Sequence, residues 1–282
     1  MKKITALMLS SAMMLSLAAC GGSASTETVS SEAASSEAAS SEAVSTEEAA
    51  SADAAAVTTV NAGKLTMSTN AAFPPYEMTT DTGDFEGIDI EVAGAIAKKL
   101  GLELQVDDMD FDAALLAAQS GKSDIVMAGV TVTDERQKVM DFSDTYAEGI
   151  QSIIVPEGSD IATADDLSGK AIGTQRGTTG YLYCTDDFGE DNVIAYDDGL
   201  TAVQALNNGQ VDAVVIDNAP AQEFVAANPG LKILDTAYAQ EDYAIGVAKG
   251  NTQLLDAING ALEELQDDGT LQAIVDKYIT AE

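Results

Sequence analysis

The segment DIVMAGVTVTDERQKVMDFSDTY, residues Asp124–Tyr146, decides the fold. Its apolar start predicts a strand that stops at Gly129. A polar turn follows, and Thr133 is placed to cap a helix beginning at Asp134, because a threonine hydroxyl accepts from the free amides of a first helical turn. The segment therefore predicts a strand, a loop and a helix start. Ligands bind at such loops in open α/β sheets, where the carboxyl ends of strands meet the helices.

Arg136 makes this loop a candidate site for a small acid. A planar guanidinium holds a carboxylate through two parallel hydrogen bonds. The Thr131 hydroxyl and the backbone amides of the loop supply further donors. Taken alone, an arginine in a first helical turn also fits a surface ion pair, for which Asp141 and Asp144 are the candidate partners.

The chain from Asn61 to Glu282 alternates short apolar runs with helical patterns, which predicts an α/β sheet. The apolar run at 213–216 ends at Asp217, and the turn at 175–180 is rich in amides and hydroxyls. Both features place polar groups after strands, as the first segment does. Taken alone, Asp217 also fits a helix cap.

The composition narrows the range of functions. The 282 residues include 47 acidic and 13 basic ones, a formal net charge of −34. This charge disfavours nucleic acid and anionic lipid as partners, because both are polyanions. The chain has no histidine and two cysteines, Cys20 and Cys184. Zinc and Cys–His chemistry need more such ligands, so neither a metal nor a cofactor is expected. Cys184 is expected to be an unreactive thiol.

The first sixty residues divide into two parts. Residues 1–20 combine Lys2 and Lys3 with an apolar run shorter than the about 20 residues of a membrane helix, which predicts an export signal. The signal ends in small residues before Cys20, as in bacterial lipoproteins, so Cys20 is the predicted lipidation site; an ordinary signal with a chance cysteine is the alternative. Residues 21–60 repeat serine, glutamate and alanine, which predicts a disordered acidic tether.

Six short motifs follow one another along the domain. They are NAAFPPYE (70–77), GIDIE (87–91), AGVTVTDER (128–136), DFSD (141–144), GTTG (177–180) and DAVVID (212–217). Their order and spacing resemble those of the solute-binding proteins of amino-acid ABC importers, in the group that binds polar amino acids. The resemblance covers most of the chain from Lys64 to Tyr278.

The resemblance implies the type II periplasmic-binding-protein fold, in which two α/β lobes are joined by two crossover strands. Lobe 1 would comprise residues 61–150 plus 247–282, lobe 2 would comprise residues 151–246, and the ligand would lie in the cleft between them. The resemblance also implies a monomer that is lipid-anchored on the outer, extracytoplasmic face of the cell membrane. Such a protein captures an amino acid and delivers it to ABC permease subunits without catalysis.

The resemblance assigns a role to each candidate site residue. Arg136 would hold the ligand α-carboxylate, and Asp217 would accept from the α-ammonium. The other expected contacts are the carboxylate donors Gly129, Thr131, Thr178 and Thr179, the aromatic pair Phe73 and Phe111 around the ligand side chain, and Asn70 and Gln175 at its end. By themselves the two phenylalanines also fit a hydrophobic core. Arg176 is expected to face solvent.

The expected ligand is a neutral polar amino acid. Members that bind basic amino acids usually carry an acid at the position of Asn70. An amide cannot balance a buried cation, so glutamine, asparagine, cystine or neutral histidine is favoured over arginine or lysine. Glu77 is an acid that could still receive a cation. Two alternatives use the same lobes: an amino-acid sensor, and a lyase similar to cyclohexadienyl dehydratase, whose general acid or base would have to be a carboxylate or lysine.

Overall fold

The computed structural model describes residues 57–279. Within this range twelve strands and eight α-helices follow one another, as the α/β pattern predicts. The strands are β1 (Lys64–Thr69), β2 (Ala72–Phe73), β3 (Glu77–Thr79), β4 (Phe85–Glu86), β5 (Glu103–Asp108), β6 (Ile125–Val126), β7 (Met140–Pro156), β8 (Ile172–Gln175), β9 (Val193–Tyr196), β10 (Ala213–Asp217), β11 (Leu231–Ile233) and β12 (Ala239–Ala248). The helices are α1 (Ile88–Lys99), α2 (Phe111–Gln119), α3 (Asp134–Gln137), α4 (Thr179–Phe188), α5 (Gly199–Asn207), α6 (Asn218–Ala227), α7 (Thr252–Asp267) and α8 (Thr270–Tyr278).

A nine-stranded mixed sheet organises the described residues. Its strands lie in the order β5-β1-β6-β12-β7-β10-β8-β9, and β11 also pairs with β7. Strand β1 pairs in parallel with β5 and β6, while β8 pairs in parallel with β9 and β10. These two parallel groups form two halves of the sheet, and the antiparallel pair β7 and β12 joins them. The two crossover strands implied by the resemblance are therefore present.

The crossover strands approach each other closely at Gly149 of β7. A Cβ atom on Gly149 would lie 2.5 Å from Cζ of the Tyr243 ring on β12. Any side chain there would displace the buried ring, so the crossing requires glycine. The lobe boundaries implied by the resemblance, after residues 150 and 246, fall on these same two strands.

The buried apolar side chains group by half of the sheet. Two clusters draw their buried members from 65–146 and 243–274. Two others draw theirs from 153–234. This division follows the predicted lobes, except that Tyr243 and Ile245 of β12 belong with the first group. The exact lobe boundaries stay a prediction that the division of the cores supports.

Folded structure begins inside the range predicted as a tether. Val57 packs against the larger cluster, and the amide of Val60 donates to Asp124 Oδ1 at 2.7 Å. Residues 57–60 therefore belong to the folded part. The signal, Cys20 and the rest of the tether lie outside the described residues. Between 57 and 279 no helix combines the length and the apolar character needed to cross a bilayer.

Asp124 fastens the start of this folded part, and we expect its loss to be costly. The buried carboxylate accepts from Val60 and, at 2.7 Å, from the amide of Thr66 on β1. In Asp124→Ala both amides lose a charged acceptor, so the free energy of unfolding in urea should fall by about 3 kcal/mol. Asp81→Ala removes the same charge from an exposed turn and should change the free energy of unfolding by less than about 0.5 kcal/mol. Equal losses in the two variants would contradict this role.

Candidate ligand-binding site

A cavity lies where strands of both halves of the sheet end. Strands β1, β6, β8 and β10 all deliver their carboxyl ends to it, which is the usual place for a ligand in an open α/β sheet. All ten residues predicted to contact a ligand line this cavity: Asn70, Phe73, Phe111, Gly129, Thr131, Arg136, Gln175, Thr178, Thr179 and Asp217. The structure thus brings together residues that are distant in the sequence; their roles toward a ligand stay predictions.

Arg136 is a buried cation whose bonds go to backbone carbonyls. Only 8% of its surface is exposed. Its Nη1 donates to the Thr131 carbonyl at 2.8 Å and its Nη2 to the Gly177 carbonyl at 3.2 Å, and the guanidinium carbon lies 5.4 Å from the centre of the Phe111 ring. Burial lowers the pKa of Arg136, but a guanidinium keeps its proton in proteins. The site therefore holds a positive charge with donors to spare.

The alternative of a surface ion pair for Arg136 is wrong. Among residues 57–279, no carboxylate lies within ion-pair distance of its guanidinium. Asp141 pairs instead with Lys249 at 2.6 Å. The predicted cap is present, because Thr133 Oγ1 accepts from the Arg136 amide at 3.2 Å. Two backbone hydrogen bonds also hold the loop before α3 to β12. The Val132 amide donates to a carbonyl of β12, and the Val130 carbonyl accepts from an amide of β12.

Asp217 is the anionic counterpart in the same cavity. It is 2% exposed, and its carboxylate accepts from the amides of Ile150 at 2.7 Å and Ala219 at 3.1 Å. The second bond caps α6, so the helix-cap and cavity predictions both describe this residue. Burial raises the pKa of Asp217 to about 6. Because no lysine or arginine of the described range forms an ion pair with it, Asp217 is suited to a cationic donor.

The threonines surround the first turn of α4. The hydroxyls of Thr131 and Thr179 lie 3.4 Å apart and link the two halves of the sheet. The Thr178 hydroxyl donates to the Gln175 carbonyl at 2.8 Å and accepts from the Tyr181 amide at 3.3 Å, so it caps the helix. The first amides of a helix have no partner within it and attract negative charge. This turn is suited to a carboxylate.

The two side-chain amides bond directly to each other. Gln175 Nε2 donates to Asn70 Oδ1 at 2.8 Å, and Asn70 Nδ2 donates to the Met109 carbonyl at 3.0 Å. Phe73 stacks on Tyr76 with ring centres 5.7 Å apart and packs against the cores of both halves. The phenylalanine predicted on the opposite side, Phe111, is buried under Arg136. Core and cavity roles therefore coexist for both rings.

The Gly129 amide differs from its predicted role. It was expected to donate to the ligand carboxylate, but it donates to Asp89 Oδ2 at 2.9 Å. Asp89 lies in the first turn of α1, fully buried beneath the loop. Gly129 still shapes the cavity: its φ is 54°, and a Cβ there would lie 2.9 Å from the Phe73 ring.

Sequence reasoning missed five cavity residues, which are Glu77, Ala128, Gln151, Ile216 and Tyr243. Gln151 lies on a crossover strand, where it donates to Glu241 Oε2 at 2.9 Å. A glutamine inside the apolar run after Ile150 is the one signal that could have marked it. Glu77 was recognised only as an acid that could receive a cation. The structure buries it to 1% exposure beside Asp89.

Arg176 and Cys184 lie in the environments that the sequence predicts for them. Arg176 is exposed, and its Nε lies 3.6 Å from Asp197 Oδ1. Cys184 is fully buried, and burial raises the pKa of its thiol, which disfavours the reactive thiolate. Within residues 57–279 no group of three or more histidine, cysteine, aspartate or glutamate side chains could hold a metal ion.

Residues 65–281 match a known protein family, the bacterial extracellular solute-binding proteins, family 3. The chain belongs to this family. It is therefore an extracytoplasmic solute-binding protein and not an enzyme. The match covers both halves of the sheet and the whole cavity.

Relatives with known ligands or structures share the fold. The chain is 35% identical over 224 residues to the L-cystine-binding protein TcyJ of Escherichia coli (strain K12), covering 78% of this chain and 84% of that protein. An ancestral arginine-binding protein superimposes with a TM-score of 0.74 and 44% identity in its glutamine-bound structure, covering 78% of this chain and 99% of that one. A structure of an ancestral arginine-binding protein bound to arginine superimposes with a TM-score of 0.73 and 45% identity, covering 77% of this chain and 98% of that one.

Asp89 and Asp217 should make the stability of this solute-binding protein depend on pH. Burial raises both pKa values to about 6, whereas an aspartate in an unfolded chain has a pKa of about 3.9. The folded state therefore binds more protons than the unfolded state between about pH 4 and 6, and stability falls as the pH rises through that window. For each group the loss is about 3 kcal/mol.

We expect the free energy of unfolding in urea to be higher at pH 5 than at pH 7.5. Asp217→Asn, which carries no titrating carboxyl, should reduce this difference. Asp81→Asn, a substitution in an exposed turn, should leave it in place. Stability that is constant or increases from pH 5 to pH 7.5 in the unsubstituted protein would contradict the assignment.

Proposed function

We propose that this protein captures a polar L-amino acid in its cavity and delivers it to the permease of an ABC importer. The observation that carries the proposal is the pair of buried opposite charges, Arg136 and Asp217, in one cavity. An α-amino acid presents a carboxylate and an ammonium on one carbon atom, so it satisfies both. A simple carboxylic acid would leave Asp217 without a cationic donor.

The strength of these contacts is adequate for capture from dilute solution. A hydrogen bond to a charged group contributes about 1.5–3 kcal/mol. Arg136, Asp217 and the first turn of α4 together offer several such bonds. After the cost of ordering the ligand is subtracted, the remainder is compatible with a micromolar dissociation constant, about −8.2 kcal/mol.

The far end of the cavity favours a neutral polar side chain. The paired amides of Asn70 and Gln175 offer hydrogen bonds without charge. The relatives include proteins whose names specify L-cystine and glutamine as ligands, which agrees with this chemistry. A second class, a cationic side chain such as that of arginine, is favoured by the buried acid Glu77 and by the arginine-binding relatives.

Ligand binding would be coupled to closure of two lobes. Three hydrogen bonds link the halves of the sheet: Arg136 to Gly177, Gln175 to Asn70, and Thr131 to Thr179. A ligand that contacts both halves shifts the population toward the closed form, and this form docks on the permease. The lobes would be 61–150 plus 247–282 and 151–246, hinged at β7 and β12.

The location of the protein follows from its first residues and its family. We infer that the signal exports the chain, that a lipid on Cys20 anchors it to the outer face of the membrane, and that the acidic segment from residue 21 is a tether. The family is extracellular, which supports export. A monomer suffices, because the residues of one chain line the whole cavity. A sensor that acts through a separate partner is the alternative to transport.

A thermal-shift screen against the twenty L-amino acids and cystine tests the ligand class. Ligand at one hundred times its dissociation constant should stabilise the protein by about 2.7 kcal/mol. The matched control is the N-acetyl derivative of the best ligand, which keeps the carboxylate but lacks the ammonium for Asp217 and should give no shift. If no amino acid raises the unfolding midpoint, the proposed function is wrong.

The two arginines of the site region provide a matched pair of variants. Arg136→Ala should abolish ligand binding in calorimetry while the far-ultraviolet circular dichroism stays native, because the carboxylate loses its buried donor. Arg176→Ala removes an exposed arginine from the same face and should bind within about twofold of the unsubstituted protein. Micromolar binding by Arg136→Ala would remove Arg136 from the proposed role.

A further inference from the structure

Glu77 is a buried acid of the cavity that the capture of a carboxylate and an ammonium does not require. It lies on β3 and lines the same cavity as Arg136 and Asp217. Among residues 57–279 no amide, hydroxyl or cationic group donates to either of its carboxyl oxygens, and its polar neighbour is the carboxyl of Asp89. Buried polar groups are normally hydrogen bonded. A proton on Glu77 can bond to Asp89, and the other carboxyl oxygen of Glu77 is left to accept from the cavity.

The surroundings of Glu77 are acidic. Asp89 on α1 is its neighbour, and Asp108 on β5 adds a more distant negative charge. The Tyr146 hydroxyl of β7 also faces this group, but it donates to Asp89 at 2.9 Å. No lysine or arginine of the described range forms an ion pair with Glu77. The nearest source of positive charge on the cavity wall is Arg136, which bonds to carbonyls.

The neighbouring carboxyls of Asp89 and Glu77 differ in how readily each one is protonated. Asp89 accepts from the Gly129 amide and from Tyr146, each at 2.9 Å, and these donors stabilise its charged form. Glu77 has no such donors. Like charges placed side by side in a buried site are costly, so one carboxyl of the two holds a proton. Burial, and then the charge of Asp89, raise the pKa of Glu77 well above its usual range.

We propose that Glu77 is an exchangeable recognition group: it keeps its proton beside a neutral ligand side chain and releases it to solvent when a guanidinium or ammonium side chain binds. The inference rests on the proposed function, because the ligand must be held by its α-groups at Arg136 and Asp217. It names two substrate classes for one cavity and the residue that distinguishes them.

The exchange is balanced in atoms and in charge. With a neutral ligand, the carboxylic acid O–H of Glu77 donates to Asp89, and its other oxygen accepts from the ligand side chain. With a cationic ligand, this O–H bond breaks, the proton passes to buffer, and the carboxylate pairs with the cation. One positive charge leaves as another enters, so the net charge buried at this end of the cavity is the same in both complexes. The cavity therefore has no need of an acid at Asn70.

L-arginine and L-citrulline are the probes that test this exchange. They differ only in a terminal nitrogen replaced by oxygen, so the first is cationic and the second neutral. Calorimetric titration of the full-length protein at pH 6.5, in phosphate and in imidazole, counts the protons released on binding. The α-groups are identical, so any contribution from Asp217 cancels. We expect arginine to release one proton more than citrulline.

Two variants assign the proton. Glu77→Gln has no proton to exchange, so the difference between the two ligands should vanish and arginine should lose at least tenfold in affinity relative to citrulline. Glu86→Gln changes an exposed acid on the adjacent strand β4 and should keep the difference of one proton. Below the raised pKa of Glu77, the affinity ratio of arginine to citrulline should also rise by about tenfold per pH unit.

Each other outcome overturns the inference in a recognisable way. Equal proton counts for the two ligands in the unsubstituted protein, or a one-proton difference that persists in Glu77→Gln, would remove Glu77 from this role. Failure of arginine to bind while a neutral amino acid binds would remove the cationic class and leave the proposed function intact. Failure of every amino acid to bind would overturn the proposed function, and the inference with it.

Discussion

The burial of the Arg136 guanidinium is the constraint on which the rest of the site depends. Moving a cation out of water is costly unless its N–H groups form hydrogen bonds inside the protein. Arg136 finds two carbonyl oxygens, one in its own loop and one at Gly177 in the other half of the sheet. Its compensation therefore requires the two halves to lie together. The capping of α3 by Thr133 and the attachment of the loop to β12 fix where that charge lies.

Much of the site was predictable because the carboxyl ends of parallel strands meet at one edge. Arg136, Thr179 and Asp217 follow three different strands, and topology alone brings them to one cavity. The state of the Gly129 amide was not predictable, since its acceptor Asp89 is forty residues away in the sequence. Gln151 was missed for another reason: a strand alternation does not reveal which polar side chain faces a cavity.

Acidic residues have two different functions in this protein. The 47 acidic residues give the chain its formal net charge of −34, and most of those between residues 57 and 279 are exposed to solvent. Three buried acids, Glu77, Asp89 and Asp217, lie in or beside the cavity, where water does not screen them, so each depends on its immediate donors. Asp217 has two amides and Asp89 an amide and a phenol, but Glu77 has neither. In the proposed exchange, this inequality between chemically similar groups is what would give the cavity a choice of ligand charge.

The length and pairing of strand β7 affect how the domain unfolds. It is 17 residues long, and it pairs with β12 over residues 140–151 and with β10 and β11 over residues 151–156. Each half of the sheet therefore contains part of β7. Neither half can lose its order without exposing the edge of the other, so we expect the two halves to unfold as one cooperative unit. A ligand that held the halves together would then protect the entire domain, including helices that it never contacts.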